Sequence, residues 1–243
     1  AEAICFSPFA SCGTQTEQTK KTAVGPDLTE LRSLALQQNV LSISREEKMK
    51  VSIGAKTVGT PTPLWVVGSY DENGKANIMT AAWGGICCSE PPCLTVSLRK
   101  SRHSFESIIK REAFTVNIPN RAHIREADFA GIVSGTDTDK FEQSGLTAVR
   151  SEVVDAPYVA EFPVIIECRL VKTVELGVHI QLIGQVMDLK ADKAVLGENG
   201  MPDLIKMDTI IYDSGQRKYL GMGEKIADAF SVGKPQGQPD MKH

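Results

Sequence analysis

Residues 77–104 (NIMTAAWGGICCSEPPCLTVSLRKSRHS) concentrate the side chains that could bind an anionic ligand. Arg99, Lys100 and Arg102 supply positive charge, and Ser97, Ser101 and Ser104 supply hydroxyl donors. A predicted strand-to-helix transition at Ser101 would add free backbone N–H groups at a helix N-terminus, where phosphate groups bind. The segment therefore predicts a site for a terminal phosphate. The alternative is a charged loop with a helix cap, since no glycine-rich phosphate fingerprint accompanies it.

The same segment meets the other requirements of a bound flavin mononucleotide. Such a ligand needs donors for its phosphate, backbone amides along its ring edge, and apolar or aromatic cover against water.

Two adjacent cysteines, Cys87 and Cys88, follow the small-residue stretch. They could tune or shield a flavin, but the interpretation favoured here is that of small buried residues before a proline pair.

Length and composition are those of an ordinary globular protein. The chain has 243 residues, of which 42% are hydrophobic and 23% charged, so one main domain with a sizeable core is expected. The net charge of −3 gives no polycationic surface, and nucleic acid is not expected as a partner. No apolar run reaches the ~20 residues of a transmembrane helix. The six cysteines show no paired CxxC spacing, and no metal site is expected.

The order of strand and helix patterns predicts a mainly β protein with helical additions. LWVVGSYD and KANIMTAAW, joined by Asn73 and Gly74, form a predicted hairpin, and residues 94–99 and 113–118 are two further strands. Helices are predicted in SFESIIKRE and from about Asn120. The runs FPVIIECRLVKTVEL and VHIQLIGQVMDLKAD predict the longest hairpin. This pattern favours a closed or nearly closed antiparallel, Greek-key type barrel.

Residues 1–48 and 235–243 are predicted to lie outside this domain, as a leader with a tether and as a polar tail. The apolar stretch that ends in FASC resembles a bacterial lipoprotein cleavage box, in which Cys12 would carry a lipid anchor. A plain leader is the alternative. Residues 27–50 carry leucines at near-helical spacing and predict a short amphipathic helix. The location stays open between the cytoplasm and a membrane-anchored, periplasmic position.

The ordered motifs DENGK, NIMTAAW, PP, SLRK, FTVNIP, ADFAGIVSG and DKF together resemble those of the flavin reductase-like, FMN-binding split-barrel family, and most of all its flavoredoxin branch. The resemblance covers residues 49–234. It implies a homodimer of split β-barrels, in which each subunit binds one FMN near the interface. It also implies an oxidoreductase, because in this family electrons pass through the flavin.

The resemblance assigns two groups of residues within 77–104 to the cofactor. Small side chains at the end of the second hairpin strand would let backbone N–H groups approach the flavin ring, and the matching residues are Met79, Thr80, Ala81, Ala82 and Trp83. The phosphate and ribityl chain would lie along the next strand, which matches at Ser97, Arg99 and Lys100. Ser101 and Ser104 are added to these candidates for their hydroxyl groups and not by the resemblance. Relatives carry small residues or Thr after the Arg-Lys pair, so the contributions of Arg102 and His103 stay open.

Five residues further along the chain also match the family's cofactor site. Asn117 matches a strand end that faces the site, although it could instead bond its own turn. Gly131 and Ser134 match a loop that closes over the cofactor. Lys140 would stabilise negative charge on reduced flavin, unless it is an exposed loop lysine. His179 is the one candidate catalytic residue, where a nicotinamide donor would enter, and a structural strand histidine is the alternative.

Three functions are compatible with these expectations. The first is an FMN-dependent oxidoreductase that takes electrons from NAD(P)H or a redox protein and passes them to free flavin, ferric iron or another redox protein. The second is a flavoredoxin-type electron carrier without nicotinamide specificity, which the lack of a Rossmann fingerprint keeps open. The third is a non-catalytic flavin- or ligand-binding module, because a barrel fold does not by itself specify catalysis.

Overall fold

The structure, a computed structural model, describes residues 50–234. The chain divides into two units, residues 1–56 and 57–243. In the first unit, residues 50–56 are exposed and have no regular secondary structure. The predicted lipid attachment at Cys12 and the polar tail 235–243 lie outside the described residues. So does the predicted helix over 27–50, apart from its last residue.

Residues 57–234 contain twelve described strands in three antiparallel sheets. In chain order they are β1 (Thr62–Pro63), β2 (Trp65–Tyr70), β3 (Ala76–Ala81), β4 (Gly84–Ser89), β5 (Pro92–Leu98), β6 (Ala113–Ile118), β7 (Ala148–Arg150), β8 (Pro157–Val159), β9 (Val164–Leu176), β10 (His179–Ala191), β11 (Ile210–Asp213) and β12 (Lys218–Gly221). The largest sheet has the order β3-β2-β6-β9-β10-β5-β4. The two smaller sheets are β1-β11-β12 and β7-β8.

Three short helices accompany the strands in this part of the chain: α1 (His103–Arg111), α2 (Ile124–Ile132) and α3 (Lys140–Ser144). A 3₁₀ turn (Arg121–His123) leads into α2, and another (Lys193–Val195) follows β10. Helix α3 begins at Asp139, whose carboxylate accepts a hydrogen bond from the Glu142 amide at 3.1 Å, and ends at Gly145 with φ of 73°. The two helices predicted in SFESIIKRE and from about Asn120 are therefore confirmed, and α3 is an addition to them.

Strands β2 and β3 of the largest sheet are buried on both faces, because alternate side chains point to opposite sides and a core covers each side. On the inner face, Val67 and Met79 pack with residues of β5, β6, β9, β10 and helix α1 in one core. On the outer face, Val66 and Ile78 pack with α2 and α3 in a second core. The inner core joins β3, at one edge of the sheet, to β5, near the other edge. The sheet is therefore rolled, which confirms the predicted mainly β barrel with helical additions.

The two predicted hairpins are present. β2 and β3 pair from Trp65 to Tyr70, and the carboxylate of Asp71 holds the turn by accepting hydrogen bonds from the Asn73 and Lys75 amides, each at 2.8 Å. Gly74 has φ of 81°, a conformation that favours glycine. β9 and β10 form the longest hairpin and reverse direction at Gly177. Their register shifts twice, at bulges that increase the local twist of the sheet.

Strand β4 was not predicted, and it changes the interpretation of two cysteines. β4 forms one edge of the largest sheet and, among the described strands, pairs only with β5. Cys87 and Cys88 lie on it and are exposed, so the expectation that they are small buried residues is wrong. Gly84 allows the start of β4 to lie against Trp65, since a Cβ there would come within 2.6 Å of the indole ring. Across residues 50–234, every helix is too short or too polar to span a bilayer.

Candidate functional site

Two adjoining cavities lie at the C-terminal end of β3 and along its inner face. The larger cavity, of about 580 Å³, is lined by the end of β3, the end of β5 and the turn between β9 and β10. The smaller cavity, of about 50 Å³, is lined by β3, the start of α1 and the chain from α2 to α3. Met79 and Arg102 line both cavities. A single ligand could therefore extend from one into the other.

The structure brings most of the predicted residues to these two cavities. Those that line the larger cavity are Met79, Thr80, Ala81, Ala82, Trp83, Ser97, Arg99 and His179. Those that line the smaller cavity are Met79, Ser101, Ser104, Gly131, Ser134 and Lys140. Lys100 and Asn117 line neither.

The end of β3 gives the larger cavity a wall made mostly of backbone. Ala81 and Ala82 have short side chains, so a flat ligand could approach the main chain closely. Thr80 points the other way, and its hydroxyl donates to the Ala127 carbonyl of helix α2. Gly131 lets α2 pack against Thr80, because a Cβ at Gly131 would lie 3.1 Å from the Thr80 Cβ. Helix α2 therefore holds this end of β3 in position.

An aromatic pair stands at the open side of the larger cavity. The rings of Trp83 and His179 meet edge to face, with centroids 6.5 Å apart and planes at 64°. Val178, in the turn before β10, is 70% exposed and lines the same cavity. Trp83 itself is 42% exposed. This side of the cavity thus offers apolar cover and an imidazole that can donate or accept a hydrogen bond.

The smaller cavity is built from polar groups on three elements. The amide nitrogen of Asn77, on β3, donates to the hydroxyl of Ser104, in the first turn of α1, at 2.9 Å, and both side chains are buried. Arg102 precedes α1 and has no side-chain hydrogen bond to the helix start. The first turn of α1 therefore offers backbone N–H groups near a guanidinium, an arrangement that suits an anion.

Lys140 contributes a buried positive charge to the smaller cavity. Its side chain is 4% exposed, and its ammonium donates to the Ala130 carbonyl at 2.8 Å. Burial, and to a smaller extent the nearby charge of Arg102, lower the pKa of Lys140 from 10.5 to about 8. An ammonium has three N–H donors, and an anionic ligand would use those that Ala130 does not. The alternative of an exposed loop lysine does not apply to this side chain.

Lys100 and Asn117 have other partners. Lys100 is exposed and forms an ion pair with Glu175, with Nζ and Oε1 2.7 Å apart. Asn117 is fully buried: its amide donates to the Val66 carbonyl at 2.8 Å, and its carbonyl accepts from the Val159 amide at 2.8 Å. Its side chain therefore links β6 to β2 and β8. These contacts differ from both roles expected for Asn117, which were contact with the cofactor and a hydrogen bond within its own turn.

Several cavity residues were not among the sequence candidates: Thr57, Asn77, Val133, Gly135 and Val178. Arg102 and His103, whose contributions the sequence left open, both line the smaller cavity. Asn77 could have been found, because it lies two positions before Met79 and so faces the same side of β3. Gly135 carries no such signal. Its place follows only from the path of the loop between α2 and α3.

Among the described residues, no group of three or more His, Cys, Asp or Glu could hold a metal ion. The arrangement suits binding of one ligand that has a broad, partly apolar body and an anionic end.

The comparisons with known proteins agree with this geometry. The family model of the flavin reductase like domain matches residues 57–220. The protein YddH of Escherichia coli is 34% identical over 168 residues, which are 68% of this chain and 88% of YddH. The flavoredoxin of Desulfovibrio vulgaris (Miyazaki F) has a solved structure with 52% identity and a TM-score of 0.73. That match covers 76% of this chain and all of that chain.

A second solved structure, the flavoredoxin from Methanosarcina acetivorans, is 29% identical. Its TM-score is 0.71, and the match covers 76% of this chain and 98% of that chain.

Proposed function

We propose that this chain, which belongs to the flavin reductase like domain family, binds FMN and transfers electrons through it as an oxidoreductase. The observation that carries the proposal is the pair of adjoining cavities, one broad and one small and cationic, that share Met79 and Arg102. FMN has a flat ring system joined by a ribityl chain to a phosphate. Its two ends differ in size and charge as the cavities do.

The larger cavity suits the flavin ring. Its wall from Thr80 to Ala82 presents backbone N–H and C=O groups behind short side chains, which a ring edge needs for hydrogen bonds. Trp83 and His179 would cover the ring at the open side and limit the access of water.

The smaller cavity suits the phosphate. Lys140 and Arg102 provide two positive charges, and Ser104 and Asn77 provide hydrogen-bonding groups within the same space. Hydrogen bonds to charged groups contribute roughly 1.5–3 kcal/mol each, about twice as much as neutral ones. This assignment places the phosphate at the start of α1 and at Lys140. It gives Lys100 no part, because its ammonium is paired with Glu175 on the surface.

Bound FMN would supply hydride and electron transfer, and the residues of the chain would bind it, orient it and exclude water. His179 lies where a donor would meet the ring from the open side, and its ring nitrogens could hydrogen-bond that donor. Thr80, fixed by Ala127, would keep the ring-facing backbone in register. Acceptors that fit this chemistry are free flavin, ferric iron or a redox protein.

The binding step is tested by incubating the purified full chain with FMN and removing unbound ligand. The expected result is a yellow protein with a flavin absorbance spectrum, of which the variant Arg102→Ala retains less. A protein that stays colourless with excess FMN would refute both the oxidoreductase and the carrier, and would favour a non-catalytic ligand-binding module. Arg125→Ala is a matched control, because Arg125 is an arginine of α2 that lines neither cavity.

The electron donor is tested by anaerobic stopped-flow mixing of the FMN-loaded protein with NADH and with NADPH. A reductase should lose the visible absorbance of its oxidised flavin within one turnover time of about 0.1 s. His179→Gln should slow this reduction while leaving the affinity for FMN nearly unchanged. If the flavin stays oxidised for minutes with both nucleotides, the nicotinamide-dependent reductase is excluded.

The second candidate function is an electron carrier that exchanges electrons only with redox proteins. It is favoured by one observation, the 52% identity to a flavoredoxin over the whole length of that chain. A carrier would be reduced by dithionite and reoxidised by a redox protein, with no reaction with either nucleotide. The stopped-flow experiment therefore separates the two functions.

We also propose a homodimer as the working assembly. Ile86 on the edge strand β4, together with Leu176 and Val178 at the tip of the long hairpin, are 73%, 56% and 70% exposed. Large apolar side chains in such positions are typical of an interface. Size-exclusion chromatography with light scattering should give twice the chain mass, and Val178→Asp should shift the protein toward the monomer.

A further inference from the structure

We infer that the loop between α2 and α3 closes the end of the smaller cavity and thereby selects a flavin mononucleotide over a flavin dinucleotide. The contact that does so is between Gly135 on this loop and Asn77 on β3. The inference rests on the proposed function, because it assumes that a flavin phosphate occupies the smaller cavity. It adds the chemical class of the ligand's end and the residues that determine it.

The path of the ligand follows one face of β3. Ala81 and Met79 face the larger cavity, and Met79 and Asn77 face the smaller one, because alternate residues of a strand point to the same side. Asn77 therefore lies about 7 Å further from the ring end than Met79, at ~3.3 Å per residue. A phosphate that enters beside Met79 reaches Asn77 next.

At Asn77 the loop meets the strand. A Cβ placed on Gly135 would lie 2.3 Å from the Asn77 side-chain oxygen and 2.8 Å from the His103 ring. The loop backbone thus sits against both side chains, with no space for even a methyl group between them. Asn77 cannot turn aside freely, because its amide is bonded to Ser104 at 2.9 Å in a buried position.

The loop is also attached on both sides of this contact. Lys75, which directly precedes β3, forms an ion pair with Asp139 at the end of the loop, with Nζ and Oδ2 2.9 Å apart. On the other side, the hydroxyl of Thr136 lies 3.4 Å from the His103 ring nitrogen. The position of the loop at Gly135 therefore does not depend on its contact with Asn77 alone.

The size and charge of the smaller cavity fit a single terminal phosphate. Its volume of about 50 Å³ corresponds to about four water-sized spheres. Lys140 and Arg102 supply two positive charges, which match the near-dianionic charge of a phosphate monoester at pH 7. A dinucleotide carries a second phosphate and an adenosine at this position, and it would have to pass the contact between Gly135 and Asn77.

The test compares three ligands in the full-length chain: FMN, FAD and riboflavin. Dissociation constants are measured by the quenching of flavin fluorescence for the native protein and for two variants, Gly135→Ala and Asn77→Ala. The first pushes the loop away from the strand, and the second removes the side chain that the loop contacts. Gly85→Ala is the matched control, because a Cβ on Gly85 would have no atom within 4 Å.

The native protein should bind FMN at least about 100-fold more tightly than FAD, and it should bind riboflavin weakly as well. Gly135→Ala and Asn77→Ala should each reduce the ratio of the FMN affinity to the FAD affinity about tenfold or more. Gly85→Ala should keep the native ratio. Native protein that binds FAD as tightly as FMN would overturn this inference and leave the proposed function intact. The inference would also be overturned if both Gly135→Ala and Asn77→Ala kept the native ratio of FMN affinity to FAD affinity. Native protein that binds none of the three flavins would refute the proposed function as well.

Discussion

Lys140 makes opposite contributions to ligand binding and to the stability of the ligand-free protein, and replacing it with Met should separate them. Its pKa falls from 10.5 to about 8, chiefly because burial disfavours the charged ammonium. At pH 7 the ligand-free protein therefore holds a buried charge at a cost of about 3 kcal/mol relative to the unfolded chain. Removing the amine also leaves the Ala130 carbonyl without its partner, which costs about 1 kcal/mol.

The net expectation for Lys140→Met is a gain of about 2 kcal/mol in the unfolding free energy of the ligand-free protein at pH 7. The folded pKa lies below the unfolded one, so the native lysine destabilises the fold fully below pH 8. That destabilisation disappears as the pH rises toward 10.5. Urea unfolding should therefore show the variant to be more stable at pH 7, with the difference shrinking by pH 10. Both measurements use protein stripped of flavin.

FMN binding should change in the other direction. Losing a charge-assisted hydrogen bond of roughly 1.5–3 kcal/mol should weaken FMN binding by about 10- to 150-fold at pH 7. In the native protein only about 3% of the Lys140 ammonium stays charged at pH 9.5, if its pKa is about 8. Native affinity should therefore fall about 7- to 25-fold between pH 7 and 9.5, toward the nearly constant affinity of Lys140→Met.

Lys100→Met provides the control, because Lys100 is an exposed lysine paired with Glu175 outside both cavities. It should leave the dissociation constant of FMN within about threefold of the native value, as expected for a surface ion pair. Native affinity that stays constant from pH 7 to 9.5 would contradict the reasoning. So would a Lys140→Met variant that binds FMN normally while Lys100→Met does not.

Three further predictions concern residues outside the cavities. Asn117→Ala should lower the unfolding free energy by about 2–4 kcal/mol, because it leaves buried backbone groups of two other strands unpaired; chemical denaturation measures this, and an unchanged midpoint would contradict it. Lys190→Met should cost about 3–5 kcal/mol by leaving the fully buried Glu167 carboxylate without its cation, whereas the double change with Glu167→Gln should recover part of that loss. Burial raises the pKa of Cys168 to about 12, so iodoacetamide at pH 8 should alkylate the exposed Cys87 but not Cys168, as peptide mass spectrometry can check.

The sequence predicted those parts of the fold that have strong local patterns. The hairpin of β9 and β10 has two long alternating runs around Gly177, and β6 lies at its predicted bounds, because their apolar residues repeat with the period of a strand. β4 was missed because its sequence GGICCS begins with two glycines and ends before two prolines. Its position is set by pairing with β5 and by contact with Trp65, which no local pattern encodes.

The candidate site could be predicted for the residues that follow one another along the chain. Residues 79–83 run from the end of β3 toward β4, and Ser97 lies near the end of β5, where its amide donates to the Trp83 carbonyl at 2.8 Å. Lys140 and Asn117 could not be interpreted in the same way, since a lysine after a loop is usually exposed and an asparagine before Pro119 usually bonds its turn. Tertiary packing determines the environments of both side chains. The Lys140 ammonium donates to the Ala130 carbonyl of α2, and the Val159 amide of β8 donates to the Asn117 side chain.

The smaller cavity explains why binding and folding should be coupled in this protein. Its polar groups come from three separate elements, with Asn77 on β3, Ser104 on α1 and Lys140 on α3. Without a bound anion, the positive charges of Lys140 and Arg102 lie close enough to repel each other. A ligand that supplies negative charge only in the folded state removes this repulsion and stabilises the fold in proportion to its occupancy. The residues that weaken the empty protein are therefore the ones expected to hold FMN. The sign of such a site is a buried cation, here the Lys140 ammonium, that has no buried anion beside it. The sequence does not show this, because the burial of Lys140 depends on tertiary packing.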